Sequence, residues 1–547
     1  MKSCTKLSVI ALLITGAIVF ASLQATAGTG DCREIQTDKG KITGAANDKS
    51  GVCSYLGVPY AAPPVGKLRF SAPVEHEPWA ETLVADKYAE QCVQFPISLF
   101  SSTKITGRED CLYLNVWHPR GESAGLKPVM FFIHGGGFIY GTGAQDIYEG
   151  TTLAQRGDVV VVTINYRLGP FGFLAHPALM DELGRTGNYG IYDMLEALRW
   201  TKKNIGNFGG DPGNVTIFGE SAGGISVGLL LASPLGKDLF HKAIIESGPV
   251  ILLTSTLDKA LEEGKEGAGL LGCADPGTAA DCLKNVPAGE IMKVVPPTMS
   301  FISETESKGG LPYMPISGTD LLPEPMVSTI RKGDFDRNIP VILGSNKDEA
   351  AYFTASKKIE TEEEFNSVYN EYAESAREAF GIDAFSANLL SKYPLSSYQT
   401  PKKAFNDIFC DVAFTCPTRL LAKQLTAKQP DVYLYHFVKS PQENGPMADW
   451  GAFHGSELAF VFGNFSFMGI KFNSKDNRVL ASKMIGYWSS FARDGRPHVE
   501  GLPEWPRFTP EKGGYLELGN EIIPGENLKK EQCDIMEGLL LEIGGVK

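Results

Sequence analysis

The sequence predicts an α/β fold, a mostly parallel, doubly wound sheet with helices on both faces. Two observations carry that expectation. Val129-Met130-Phe131-Phe132-Ile133 and Val159-Val160-Val161-Val162 are unbroken apolar runs, the mark of strands covered on both faces in a parallel sheet. Strand-like and helix-like stretches also alternate along the chain, as βα units do. Further strands are expected at 55–58 (before a run of prolines), 112–116, 215–218, 243–245, 341–343 and 432–435. Tyr192 to Ile205 reads as a helix, with Met194, Leu195, Leu198 and Trp200 supplying its apolar surface. Thr361-Glu362-Glu363-Glu364 is a capping box, followed at helical spacing by Phe365, Val368, Tyr369, Tyr372, Ala376, Ala379 and Phe380. Leu480, Met484, Tyr487, Trp488 and Phe491 repeat that spacing near the end. Both stripes read as core-facing, on helical insertions over the mouth of the fold.

The chain has 547 residues, 43% hydrophobic and 21% charged, and its body holds no linker, repeat or charge block. Residues 28–547 are therefore expected to form one domain. A formal charge of −13 argues against nucleic acid, which calls for basic patches. The N-terminus reads as an export signal spanning residues 1–27. Lys2 and Lys6 precede a largely apolar stretch at 7–23, and Ala25-Thr26-Ala27 offers cleavage before Gly28. No later stretch is apolar enough to span a bilayer, so no membrane anchor is expected beyond it. Beyond Cys4, which falls within that signal, nine cysteines suit an oxidising, secreted or periplasmic setting. Sequence neighbours suggest the pairs Cys32–Cys53, Cys92–Cys111, Cys273–Cys282 and Cys410–Cys416, leaving Cys533 over. No Cys-x-x-Cys or spaced His pair points to a metal.

The chemistry centres on Gly219-Glu220-Ser221-Ala222-Gly223. Val215-Thr216-Ile217-Phe218 runs into it as a strand, and a mostly apolar helical stretch, residues 225–232, follows. That context lifts the Ser221 hydroxyl to the tip of a sharp turn, resembling the nucleophile elbow of α/β-hydrolases. The pentapeptide alone proves little, because this chain repeats it at Gly121-Glu122-Ser123-Ala124-Gly125. No strand feeds that copy, and Pro128 obstructs a helix after it, so it reads as an inert loop.

A serine hydroxyl needs a base to take its proton. Of the eight histidines, His454 lies in a small-residue loop after the last expected strand. His76, His118, His241 and His498 lie in loops or helix starts, and His436 lies within a strand. The acid that orients the imidazole follows the 341–345 strand: Glu349 is the candidate and Asp348 its rival. His134-Gly135-Gly136-Gly137-Phe138 follows the 129–133 strand directly. Gly136 and Gly137, with the Ala222 N–H, are candidate oxyanion donors.

The chain resembles the type-B carboxylesterase/lipase family, which includes the cholinesterases. The matching stretches are 55–64, 109–115, 134–138, 165–167, 208–212, 219–223, 348–349 and 454–455, spanning nearly everything after the signal. The resemblance implies an α/β-hydrolase fold and a glutamate as triad acid, favouring Glu349. It also implies disulfides Cys92–Cys111 and Cys273–Cys282, and a serine carboxylesterase that uses neither metal nor organic cofactor. A long-chain lipase and a non-catalytic adhesion protein are the alternatives within the family. Two departures stand out. Ala350 replaces the usual Gly after Asp-Glu. The 92–111 loop carries Phe95 and Phe100 but lacks the Trp with which cholinesterases hold quaternary ammonium, so choline esters are poor candidate substrates.

Overall fold

The computed structural model describes residues 32–543 apart from 33, 48, 97–103, 122–124, 249–253, 295–312, 381–386, 446 and 468. The expected export signal at 1–27, Phe100 and the centre of the 121–125 pentapeptide lie outside the described residues. One sheet of eleven strands organises the rest. In chain order its strands are β1 (Ala45–Asn47), β2 (Val52–Pro59), β3 (Tyr113–Pro119) and β4 (Lys127–Ile133). They continue with β5 (Val160–Ile164), β6 (Gly210–Glu220), β7 (Lys242–Glu246) and β8 (Val341–Asn346). β9 (Val432–Phe437), β10 (Gly514–Leu518) and β11 (Ile522–Glu526) complete it. Across the sheet the order is β11-β10-β9-β8-β7-β6-β4-β5-β3-β2-β1. Pairing is parallel from β10 through to β5 and antiparallel at both margins.

The unbroken apolar runs are explained by the two cores they serve. Val129, Phe131 and Ile133 of β4 join one core, while Met130 and Phe132 join the other. Residues 128–133 of β4 and all of β5 are buried, so none of them can be polar without a partner. Helices α1 (Tyr189–Asn204) and α2 (Ala222–Ala232) cover the first face, where Met194, Leu195, Leu198 and Trp200 pack. The second face is covered by Lys475–Asp494, whose Leu480, Met484, Tyr487, Trp488 and Phe491 are all buried there. That helix therefore lies on the sheet and not over its mouth. The capping box forms as expected. Thr361 Oγ1 accepts from Glu364 N at 3.1 Å, and Glu364 Oε2 accepts from Thr361 N at 3.2 Å, opening the helix Glu362–Phe380.

Three cysteine pairs agree with the sequence reading: Cys32–Cys53, Cys92–Cys111 and Cys273–Cys282. The fourth does not. Cys416 bonds Cys533, 117 residues away, with Cα atoms 4.9 Å apart, and Cys410 is a free buried thiol. Cys410 ends the helix Pro401–Cys410, and a π-helical turn, Asp411–Thr415, leads straight into Cys416–Thr426. Six residues along a helical path separate Cα atoms by about 9 Å. A disulfide tolerates at most about 7 Å. Sequence proximity misled here because it ignored helical rise. Alkylation of the unfolded, unreduced protein should label Cys410 and leave Cys416 and Cys533 joined; label on Cys533 would contradict this pairing. Cys533→Ser should destabilise the protein by on the order of 3–5 kcal/mol, as expected for closing so long a loop.

Candidate functional site

The site is built where the parallel strands end. β6 runs to Glu220, α2 begins at Ala222, and Ser221 between them holds φ 57° and ψ −123°. A side-chain-bearing residue rarely adopts a positive φ, and doing so costs ~1–3 kcal/mol. Ser221 N donates to Glu246 O at the end of β7 at 2.9 Å, which fastens the turn. The flanking glycines are required by crowding. A Cβ on Gly223 would lie 2.0 Å from Ile133 O, and one on Gly224 would lie 2.7 Å from Glu246 O.

The loop after β4 curls beside this turn. Gly136 and Gly137 hold φ 108° and 59°. Tyr166 Oη donates to His134 O at 2.9 Å, and Gln94 bonds both the N–H and the carbonyl of Gly141 at 2.8 Å. The His134 ring stacks on Tyr166 at 4.3 Å, and burial holds its pKa down to about 4, so it is neutral. Among the described residues, no acceptor pairs with the N–H groups of Gly136, Gly137 or Ala222. For Ala222 this follows from its place as the first residue of a helix.

Glu349 follows β8 and is fully buried. Its Oε1 accepts from Asn346 N at 2.7 Å, and its Oε2 lies 2.6 Å from His454 Nδ1. Asp348 turns the other way. Its Oδ2 accepts from Ala452 N at 3.0 Å, its N–H donates to Ala452 O at 3.0 Å, and Lys403 pairs with it at 3.3 Å. The rival acid thus clamps the backbone of the loop that carries His454. The imidazole is wedged against Phe353 and Phe414 at ring-centroid distances of 4.9 and 5.1 Å. Ser221, His454 and Gly136 line one cavity, together with Tyr140, Tyr352 and Glu220. Elsewhere His436 is packed within β9, and His241 Nδ1 accepts from Val215 N at 3.1 Å to join two strands. Among the described residues, no group of three or more His, Cys, Asp or Glu side chains is arranged to hold a metal.

Three further carboxyls surround the site, and the sequence reading missed them. Glu220 is 5% exposed, and its Oε1 sits 3.1 Å from His454 Nε2. Burial, then the nearby Glu349 and Glu246, push its pKa well above the carboxylate range. Glu457, three residues after His454, is raised by burial and by Glu220, and Asn346 Nδ2 donates to its Oε2. Glu246 is pushed up to about 8 by burial, against a 2.7 Å bond that its Oε1 accepts from Trp488 Nε1. A signal was present in the sequence. Glu220 and Glu246 each end an apolar strand, where a charged residue has no structural excuse.

Residues 31–536 match the sequence model of the carboxylesterase family. The fumonisin B1 esterase of Sphingopyxis macrogoltabida is 35% identical over 521 residues, covering 93% of this chain and 90% of that protein. The para-nitrobenzyl esterase of Bacillus subtilis (strain 168) is 36% identical over 505 residues, covering 89% and 95%. A solved PNB esterase superposes with a TM-score of 0.76 at 34% identity, over 92% of this chain and 100% of that one.

The Glu246 carboxyl makes stability depend on pH. Its pKa is raised by folding, so the unfolded chain releases this proton first, from about pH 4.5 upward, while the folded protein keeps it to about pH 8. Stability is therefore lost as pH rises through that window, by a few kcal/mol at most, and is flat above it. Glu246→Gln removes this loss. Its melting temperature, relative to the parent, should climb from about pH 5 to pH 8; parallel curves across that range would contradict the burial argument.

Proposed function

Because the chain belongs to the carboxylesterase family and is a carboxylic ester hydrolase, we propose that it acts through an acyl-enzyme on Ser221, with His454 as base and Glu349 as the orienting acid. The observation that carries this reading is the 2.6 Å contact of Glu349 with His454 Nδ1, in a cavity shared with a serine on a positive-φ turn. That contact fixes the proton on Nδ1 and leaves Nε2 free to accept. As Ser221 Oγ attacks the ester carbonyl carbon, its proton passes to Nε2. The carbonyl oxygen, now an oxyanion, is received by the N–H groups of Gly136, Gly137 and Ala222. One such donor is typically worth ~2.7–4 kcal/mol of transition-state stabilisation. Collapse breaks the bond to the alkoxy oxygen, which takes the proton from His454 and departs as alcohol. Water then repeats the sequence on the acyl-enzyme and releases the acid.

Substrates are small esters, and choline esters are poor among them, since residues 92–111 contain no Trp to face a quaternary ammonium. Residues 1–27 act as an export signal and deliver the chain to the periplasm or the exterior. Four disulfides among the described residues support that destination. Among the described residues, no helix is long and apolar enough to cross a membrane.

Ser221→Ala should abolish hydrolysis of p-nitrophenyl acetate and labelling by a fluorophosphonate, while Ser123→Ala should leave both close to the parent. Equal losses in the two variants would refute the choice of nucleophile. Intact-mass analysis of exported protein should find a chain beginning at Gly28; a retained residue 1–27 segment would refute the signal.

A further inference from the structure

His454 must return its proton to the departing alkoxy oxygen, so the alcohol half of the ester occupies the part of the cavity that Nε2 faces. Glu220 marks that part, since its Oε1 lies 3.1 Å from Nε2 and it lines the cavity. Three phenols and an amide share the wall: Tyr140, Tyr148, Tyr352 and Gln145. All three phenols lie within electrostatic reach of Glu220. Separate segments deliver them. Tyr140 follows the glycine loop, Gln145 precedes and Tyr148 ends the short helical turn Asp146–Tyr148, and Tyr352 follows Glu349 in the short helix Ala350–Phe353.

The hydrogen-bonding capacity of these groups is largely unspent. Tyr140 Oη and Tyr352 Oη lie 3.3 Å apart, so one hydrogen bridges the pair and the other is free. Gln145 stands at the start of a helical turn, yet its side chain caps nothing. Among the described residues, neither the Gln145 amide nor Tyr148 Oη has a hydrogen bond. Burial raises the pKa of all three phenols, which therefore stay neutral donors. Packing fixes where they point: the Tyr148 ring lies 4.6 Å from Phe132, and Tyr352 meets Phe353 edge-on at 5.3 Å, centroid to centroid.

That chemistry narrows the alcohol. Among the described residues no Lys or Arg lines the cavity, and Glu220 is pushed toward its protonated form, so neither an anionic nor a cationic alcohol finds a partner. A plain alkyl alcohol would expel water from the amide and phenols and leave them unpaired. An alcohol bearing further hydroxyls would not, because each hydroxyl both donates and accepts. Ile147, Leu458 and Phe467 complete the wall and suit its carbons. The free volume, about 60 Å³, suits an alcohol of a few carbons. We propose that the cavity selects esters of short polyols, with glycerol as the type, through hydrogen bonds from Gln145, Tyr148 and the Tyr140–Tyr352 pair to the hydroxyls that the ester bond leaves free. The proposal rests on the acyl-enzyme reading above and names the alcohol class for it. These residues act on acylation, since the acyl-enzyme is the same whichever alcohol has left.

Two esters of one acid isolate the effect: 2,3-dihydroxypropyl butyrate and n-propyl butyrate. They share a carbon count and an acyl-enzyme, so the ratio of their kcat/KM values reports the alcohol site, and inactive protein cancels from it. Corrected for the ratio of their hydroxide-catalysed rates, it should favour the dihydroxypropyl ester by about tenfold or more. Gln145→Leu, and Tyr352→Phe, which keeps the ring, should each cut that ratio about threefold or more. A corrected ratio of one or less, or one that both variants leave unchanged, would overturn the proposal. The reverse step gives a second reading. The butyryl-enzyme formed from p-nitrophenyl butyrate should pass its acyl group to glycerol in preference to 1-propanol at equal concentration; equal transfer would also overturn it. Failure of the acyl-enzyme reading looks different: turnover of both esters would persist with a fluorophosphonate bound at Ser221.

Discussion

Everything at the site depends on holding one residue, Ser221, in a backbone conformation that its side chain disfavours. Left alone, a serine at φ 57° would relax. Here β6 delivers it, α2 carries the chain away, and the Glu246 carbonyl grips its N–H. The grip works only because the neighbouring strand ends come close, and they come close only because Gly219, Gly223 and Gly224 carry no side chains to keep them apart. The same convergence sets the N–H of Ala222 and the glycine loop of β4 beside the hydroxyl. A constraint on one dihedral thus fixes the small residues of three strand ends.

The second consequence of that close packing is a cluster of carboxyls in a dry place. Glu220, Glu246, Glu349 and Glu457 all lie within the cluster, and four negative charges there would be prohibitive. Burial and mutual repulsion therefore favour the protonated form of most of them. Glu220, Glu246 and Glu457 have raised pKa values, while Glu349 accepts both the Asn346 N–H and the His454 Nδ1–H. Hydrogen bonds from Trp488 and Asn346 offset part of the burial cost for Glu246 and Glu457. Of these carboxyls, Glu220 lines the cavity that Ser221 and His454 share.

The central strands were legible because burial on both faces forces continuous apolar runs, as in β4 and β5. The margins were not. β11 alternates little and contains Pro524 and Gly525, and β1 is three residues long; exposed edges place few demands on sequence. Position after β8 made Glu349 the candidate and Asp348 its rival, and the family resemblance strengthened that choice; the two are adjacent, and only the fold decides which one turns to the histidine. Asp348 proved to have its own task, clamping the loop at Ala452. The Cys416–Cys533 bond was invisible because its ends are 117 residues apart, and adjacency favoured Cys410. Glu220 was passed over because its motif records it as a free position, although its place at the end of an apolar strand was itself a signal.

The most direct test is a crystal structure of the enzyme after reaction with a fluorophosphonate. Phosphorus should be bonded to Ser221 Oγ, with its phosphoryl oxygen about 3 Å from the N–H groups of Gly136, Gly137 and Ala222. His454 should remain bonded to Glu349. Phosphorus on another side chain, or a phosphoryl oxygen turned to solvent with those three amides unused, would contradict the account.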